Sequence, residues 1–441
     1  MKTLIKNGIS FHLPDYAVKP ISILVDGTFI EQVSENEITP PSGVKVYDLK
    51  GKLILPGLMD CHTHLVQSFG RGIYDNLHLT QWLTTMIYHF NLTEEEVYLA
   101  TQLGCVEVIH SGTTTVAEMA TAGPFGEICI QAIADSGLRA DVCSAYGDFQ
   151  EGDGPPPDQK ASQVLEEMRK LHKKWHKTQD GRITVRVSPV GLPACTEELM
   201  RGSRDLANEL GVGIHTHCCE GETETANSYD RFNCSEVEAL ERFGVLGPDC
   251  QLVHDIWLTE HDKELIAEYK ASVVTCPSTN TKITDGMPPM PDLYKKGVNI
   301  AIGCDGESSS GTYDILQEAR LVALLGKVST MEADMFPAEV VFEMLTRNGK
   351  KSIGFDTPVG ELKAGFKADF AVIDYPAAHL IDERRLMSNL IYSATAGDVT
   401  ATFVNGEPLM WDRKMTKIDE EKVLNQILET MRKATQIIPN Q

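Results

Sequence analysis

The chain has 441 residues, room for a large core and more than one folded unit, since a single α/β barrel takes ~250. Its 63 acidic residues against 40 basic ones give a net charge of -23, which argues against a duplex nucleic-acid binder and against an anionic membrane surface as partner. No run of ~18 apolar residues suggests a membrane span. No secretory-signal pattern opens the chain, and its eleven cysteines are scattered without a C-x-x-C, so the expectation is a cytoplasmic protein with reduced thiols.

Residues 1–55 alternate apolar and polar positions between turn signals, as in "ISILVDGTFIEQV" and "VKVYDLKGKLILPG", which is strand text with a D-G turn. From residue 53 onward the character changes. Eight short apolar, β-branched segments follow: "LILPGLMDCHTHL", "GTTTVAEM", "RADVCSAYG", "ITVRVSPVG", "VGIHTHCCE", "CQLVHDIWL", "ASVVTCP" and "VNIAIGCDG". Helical stretches such as "ASQVLEEMRKLHKKW" and "TEELMRGSRDLANEL" lie between them, and "GDGPPPDQ" breaks the pattern after the third. Eight strands with interleaved helices predict an α/β protein, a (β/α)8 TIM barrel. The alternative, an open doubly wound sheet, usually shows a G-x-G-x-x-G turn, and none occurs. Strand text returns in "GFKADFAVIDYP" and "VTATFVNGEPLMWD". The expected division is therefore 1–55 and 361–441 as the two halves of a small composite β-sandwich, the second with a terminal helix, around a barrel over 56–360. Two separate caps are the alternative.

Residues at the C-terminal ends of barrel strands face the active-site mouth. The first strand ends with His62 and His64, the fifth with His215, His217 and then Glu220, the sixth with His254, the eighth with Asp305. Side chains alternate with period 2, so His62 and His64 share a face and Cys61 and Thr63 share the other. Two imidazoles on one face can grip one cation, and His217 and Asp305 complete the set from facing strands. Three imidazoles and a carboxylate suit one divalent metal ion, Zn(II) or Fe(II), with a position left for water. His215 lies deeper on the face of His217 and reads as packing or as support for a ligand. Cys61 and Cys218 read as buried filler, soft metal ligation being the alternative. Glu220 lies past the strand end, where it could reach the water without binding the metal; bound Zn(II) brings that water's pKa to roughly 7.

With those residues in view, "PGLMDCHTHL", "HTHCCE", "LVHDIWL" and "IGCDG" resemble the strand-one, -five, -six and -eight signatures of the amidohydrolase superfamily. "GRGIYDNLHLTQWL", "SGTTTVAEM", "CPSTNTKI" and "VGELKAGFKADFAVID" resemble its N-heterocycle deaminases and s-triazine (chlorohydrolase-like) aminohydrolases. The resemblance implies metal ligands His62, His64, His217 and Asp305. It implies Glu220 as proton shuttle, His254 as the group orienting the attacking water, and Asp305 as a catalytic base as well as a ligand. "ITVRVSPVGLP" has no Lys, so one metal is implied rather than two. Gln67 resembles an amide that holds a ring carbonyl, a polar loop residue being the equal alternative. Trp82 could stack on a ring or serve as core, and Glu118 and Asn280 are further substrate-binding candidates. Adenosine-type relatives carry a sugar-binding Glu where this chain has Asn91, and a His after strand four where "SPVGLPACTEE" has none. The expectation is therefore a hydrolytic deaminase of a free base, pterin or hydroxy-s-triazine, releasing ammonia or an amine. A nucleoside deaminase of the S-adenosylhomocysteine/methylthioadenosine type ranks lower. A chlorohydrolase or cyclic amidase is the alternative chemistry, and a non-catalytic metal-binding protein the alternative class. The partner expected is the small heterocyclic substrate alone, in a homo-oligomer as the family implies.

Overall fold

The computed structural model describes residues 2–89, 92–150 and 159–434. Asn91 and nearly all of "GDGPPPDQ" lie outside them.

Five strands come first: β1 (Lys2–His12), β2 (Ala17–Asp26), β3 (Phe29–Ser34), β4 (Lys45–Asp48) and β5 (Leu53–Pro56). Each of the eight apolar segments then yields one barrel strand: β6 (Leu58–Thr63), β7 (Thr113–Ala120), β8 (Arg139–Ser144), β9 (Ile183–Val185), β10 (Ile214–Cys218), β11 (Cys250–His254), β12 (Ser272–Thr275) and β13 (Asn299–Ile302). The described residues end with β14 (Phe370–Ile373), β15 (Val399–Val404), β16 (Glu407–Trp411), β17 (Lys414–Met415) and a helix, Glu420–Ala434.

The segment "LILPGLMDCHTHL" splits at Gly57. Its first half, β5, pairs with β14 and β1, while its second half, β6, is the first barrel strand. A Cβ at Gly57 would lie 2.1 Å from Thr114 Oγ1, so only glycine lets the chain pass from one sheet to the other here. Strands from both ends of the chain share one nine-stranded sheet, ordered β17-β16-β15-β14-β5-β1-β2-β3 with β4 beside β1. Its apolar side chains, among them Ile5, Ile23, Ile54, Phe370 and Phe403, gather in a cluster of their own.

The barrel strands form two parallel sets, β6-β7-β8-β9 and β10-β11-β12-β13. Bridges Val187–Ile214 and Gly191–His217 join the sets at one seam, and Thr63–Asp305 joins β6 to the end of β13 at the other. The strands are buried almost throughout, as a sheet covered by helices requires. The two helices expected from sequence form over Ala161–Trp175 and Glu197–Leu210. The second starts at Thr196, whose hydroxyl caps Leu199 N–H, and stops at Gly211 in the left-handed region (φ 67°).

Candidate metal centre and acid–base site

At the mouth of the barrel the ends of β6, β10, β11 and β13 converge. His62 Nε2 and His64 Nε2 lie 3.2 Å and 3.3 Å from the same oxygen, Asp305 Oδ1. The ring nitrogens of His62, His64 and His217 lie within 4.8 Å of one another, and so do the donor atoms of His62, His254 and Asp305. In a tetrahedral zinc site with bonds of about 2.0–2.1 Å, neighbouring donors are ~3.3–3.4 Å apart. His62 Nε2 is buried and has no hydrogen-bond partner. The donor set, its spacing and this orphaned nitrogen together fit a divalent cation held by His62, His64, His217 and Asp305.

Other groups fix which nitrogen each ring presents. His64 Nδ1 donates to the Met119 carbonyl (2.7 Å), and His217 Nδ1 to the Val190 carbonyl (2.6 Å). Both rings therefore offer Nε2 as a lone pair. His62 Nδ1 lies 2.9 Å from His215 Nε2, and His215 Nδ1 is 3.7 Å from Cys143 Sγ. This chain is satisfied when His62 donates to His215 and His215 donates to sulfur, which again leaves His62 Nε2 as a lone pair. His215 thus holds the His62 ring in place rather than merely filling space. Burial lowers the pKa of His62 to about 4 and pushes His64 and His217 down as well, so all three rings are neutral near pH 7. Ser309 Oγ donates to Asp305 Oδ2 (2.8 Å), leaving Oδ1 toward the imidazoles.

Glu220 and His254 form a carboxyl–imidazole pair. His254 Nε2 is 3.4 Å from Glu220 Oε1, and its Nδ1 donates to Asn280 Oδ1 at 3.0 Å. Burial, then the like charges of Asp305 and Glu224, raise the Glu220 carboxyl well above the ordinary range. A protonated Glu220 has His254 Nε2 as acceptor, so the pair can hold one proton between them. The backbone here is unusual: His254 (φ 78°) and Asp305 (φ 64°) are non-glycine residues in the left-handed region. Such residues are uncommon and gather at functional sites.

The remaining candidates are spread more widely. Gln67 Oε1 accepts from Ser308 Oγ (2.5 Å), so a contact to a ring carbonyl would fall to its amide nitrogen. Asn280 acts on His254 as just described. Glu118 is accounted for by the scaffold: its carboxylate accepts from Thr63 Oγ1 (2.7 Å) and Leu65 N–H (3.1 Å), pinning the turn after β6. Trp82 is 6% exposed and packs with Tyr74, Leu79 and Ile283. Cys61 lies in an apolar cluster with Met59, Ala117 and Val253. Sequence reasoning missed Ser309, although it stands four residues past Asp305. It also missed Asp60, whose Oδ1 accepts from the His62 and Cys304 amides (3.3 and 3.0 Å). Asp285 was missed too. It is buried beside the site, and burial, then Glu220, raises its carboxyl to about 8.

A family model, the amidohydrolase family, matches residues 53–409. The chain belongs to the amidohydrolase family. As an amidohydrolase it is a hydrolytic enzyme acting on C–N bonds other than peptide bonds. It is 35% identical over 405 residues to a 5'-deoxyadenosine deaminase of Methanosarcina barkeri, covering 91% of each chain. It is 31% identical over 438 residues to a 5-methylthioadenosine/S-adenosylhomocysteine deaminase of Moorella thermoacetica, covering 96% of this chain and 99% of the relative. Among solved structures, a zinc-bound adenosine deaminase from Xanthomonas campestris superposes with a TM-score of 0.88 at 25% identity, covering 98% of each chain. No helix among the described residues is long and apolar enough to cross a membrane.

Proposed function

We propose that this amidohydrolase is a zinc-dependent deaminase of an aromatic N-heterocycle, with 5'-deoxyadenosine-type nucleosides as the first substrates to test. The observation that carries the chemistry is the meeting of His62, His64, His217 and Asp305 beside the Glu220–His254 pair. The names of the relatives favour nucleosides, which the ranking drawn from sequence set below free bases and hydroxytriazines. The two positions behind that ranking, a missing Glu and a missing His, say which contacts a sugar would lack. They say nothing about the ring carbon that loses its amine. The reading takes residues 56–360 as the catalytic unit, flanked by 1–55 and 361–441.

When bound, the cation supplies Lewis acidity that makes a neighbouring water a nucleophile near neutral pH. The protein's own groups do the rest. Asp305 accepts a proton from that water. Glu220, whose raised pKa suits it to carry a proton at neutrality, delivers it to the ring nitrogen next to the carbon under attack and recovers one from the hydroxyl of the adduct, while the proton held by Asp305 goes to the departing amine. His254, held by Asn280, orients the water beside Glu220. Gln67 offers its amide to the ring.

The test is ammonia release by the zinc-loaded protein across 5'-deoxyadenosine, methylthioadenosine, adenosine, guanine, cytosine, pterins and hydroxytriazines. Turnover highest on the adenine nucleosides supports the reading. Activity confined to free bases or triazines restores the ranking drawn from sequence. Absence of amine release on every member refutes deamination.

A further inference from the structure

Behind the strand ends lies a second cluster of donor atoms. Cys218, Cys219 and Glu236 offer two sulfurs and a carboxylate oxygen within 4.8 Å of one another, and all three side chains are buried. Successive residues of a strand point to opposite faces. The left-handed backbone of Cys219 (φ 49°) breaks that alternation at the end of β10, and the two sulfurs come to 3.8 Å of each other. Tetrahedral zinc with bonds of about 2.3 Å to sulfur places its two sulfurs ~3.8 Å apart.

Asp255 is an independent observation. Its side chain is fully buried, the Cys218 thiol lies against its carboxyl, and neither carboxyl oxygen has a partner of full hydrogen-bond geometry. A buried carboxylate left unpaired is costly, and a cation removes the cost. The backbone holds it in place: Asp255 N–H donates to the Cys218 carbonyl (3.0 Å), and Ile256 N–H to the Cys219 carbonyl (2.9 Å).

We infer that Cys218, Cys219, Glu236 and Asp255 form a second metal site, a closed structural zinc site behind the catalytic one. Two thiolates select zinc over magnesium or calcium, and four protein donors leave no position for substrate. On binding, each thiol releases its proton to solvent and the sulfur lone pair fills a zinc valence. Cys218 follows His217, Cys219 precedes Glu220, and Asp255 follows His254. A cation here ties together the backbone that carries a ligand, the proton shuttle and its partner.

The test reads the sulfur ligands directly. The full-length protein is stripped of metal and loaded with Co(II), and its near-ultraviolet absorption is recorded; zinc per chain is counted in parallel on Zn(II)-loaded protein. The wild type is expected to show a sulfur-to-cobalt charge-transfer band, which imidazole and carboxylate ligands do not give, and to hold two zinc ions. Cys218→Ser/Cys219→Ser is expected to lose the band and to hold one fewer zinc. Cys219→Ser alone, which serves where the double variant does not fold, is expected to lose about half the band's intensity, one of its two sulfurs being gone. A wild-type spectrum without the band overturns the proposal, whatever the zinc count. So does a band that survives in the double variant.

Discussion

In the proposed mechanism, Glu220 is the residue whose loss separates binding from chemistry. Its carboxyl sits 3.4 Å from His254, its proton held by burial, and it belongs to none of the three groups of close-set metal donors among the described residues. Glu220→Gln keeps the size and removes the titrating group. Turnover should fall by roughly 10²–10⁴-fold, the range of a lost acid–base catalyst, while zinc content stays unchanged. A variant with wild-type kcat would refute its role. His215 calls for the opposite measurement. His215→Phe removes the acceptor for His62 Nδ1, so zinc affinity should drop ~10–100-fold, as outer partners of ligating imidazoles do when lost. Competition with a chelator reads it. His62 and His64 were legible in the sequence because period 2 puts alternate residues on one face. The groups that orient His64 and His217 were not legible, because they are the carbonyls of Met119 and Val190, and a backbone carbonyl is the same whatever side chain it carries. Asp285 went unread for a related reason. Its place beside the site comes from a turn in which its amide and that of Gly286 both donate to the Asn280 carbonyl, and no periodicity announces that fold-back.

At the scale of elements, β13 and β6 approach closely where the barrel closes. A Cβ on Gly303 would lie 2.9 Å from both the Cβ and the amide nitrogen of His62. Gly303→Ala must therefore move a strand that carries two of the imidazoles. A stability loss of about 1–3 kcal/mol is expected, together with weaker zinc retention, read by denaturation midpoint and metal content. The helix Ile315–Thr330 carries a pH-dependent element. Glu318 on it is fully buried and accepts from Ser278 N–H (2.9 Å), and burial pushes its carboxyl up to about 8 against an ordinary 4.5. The folded state thus binds its proton more tightly than the unfolded chain does. That contribution is complete below pH 4.5 and is lost as pH rises through about 8, with a slope of at most ~1.4 kcal/mol per pH unit. Glu318→Gln should flatten the stability curve between these limits; a wild-type-minus-variant difference that is constant with pH would contradict it. The barrel strands were legible because each is a compact β-branched run between helical stretches. The order of the terminal strands was not. β1 pairs antiparallel with β2 but parallel with β4 and β5, and such partners are chosen by burial over long sequence separations rather than by local turns.

Across the whole molecule, one buried ionic knot ties the barrel to the terminal sheet. Arg139 on β8 donates to Asp369 Oδ2 from Nε (2.7 Å), and to Asp369 Oδ1 and Asn405 Oδ1 from Nη2 (3.3 and 2.7 Å). Asn405 N–H closes the knot on Asp369 Oδ1 at 2.7 Å. Asp369→Ala strands a buried guanidinium, and a loss of about 3–5 kcal/mol is expected in denaturant unfolding. Asp369→Leu with Arg139→Met should recover most of it, since apolar replacements of a buried pair are often neutral. The seam between the first and last barrel strands carries a further consequence. His62 and Asp305, the opposite members of the proposed clamp, meet only where Thr63 bridges to Asp305. While the polypeptide is still being made on the ribosome, the full grip on the ion cannot exist until translation has passed codon 305 and the emerged chain has wrapped around. Uptake of the ion would then mark a chain whose barrel has closed, and fragments ending before that residue would leave the cell's zinc to others.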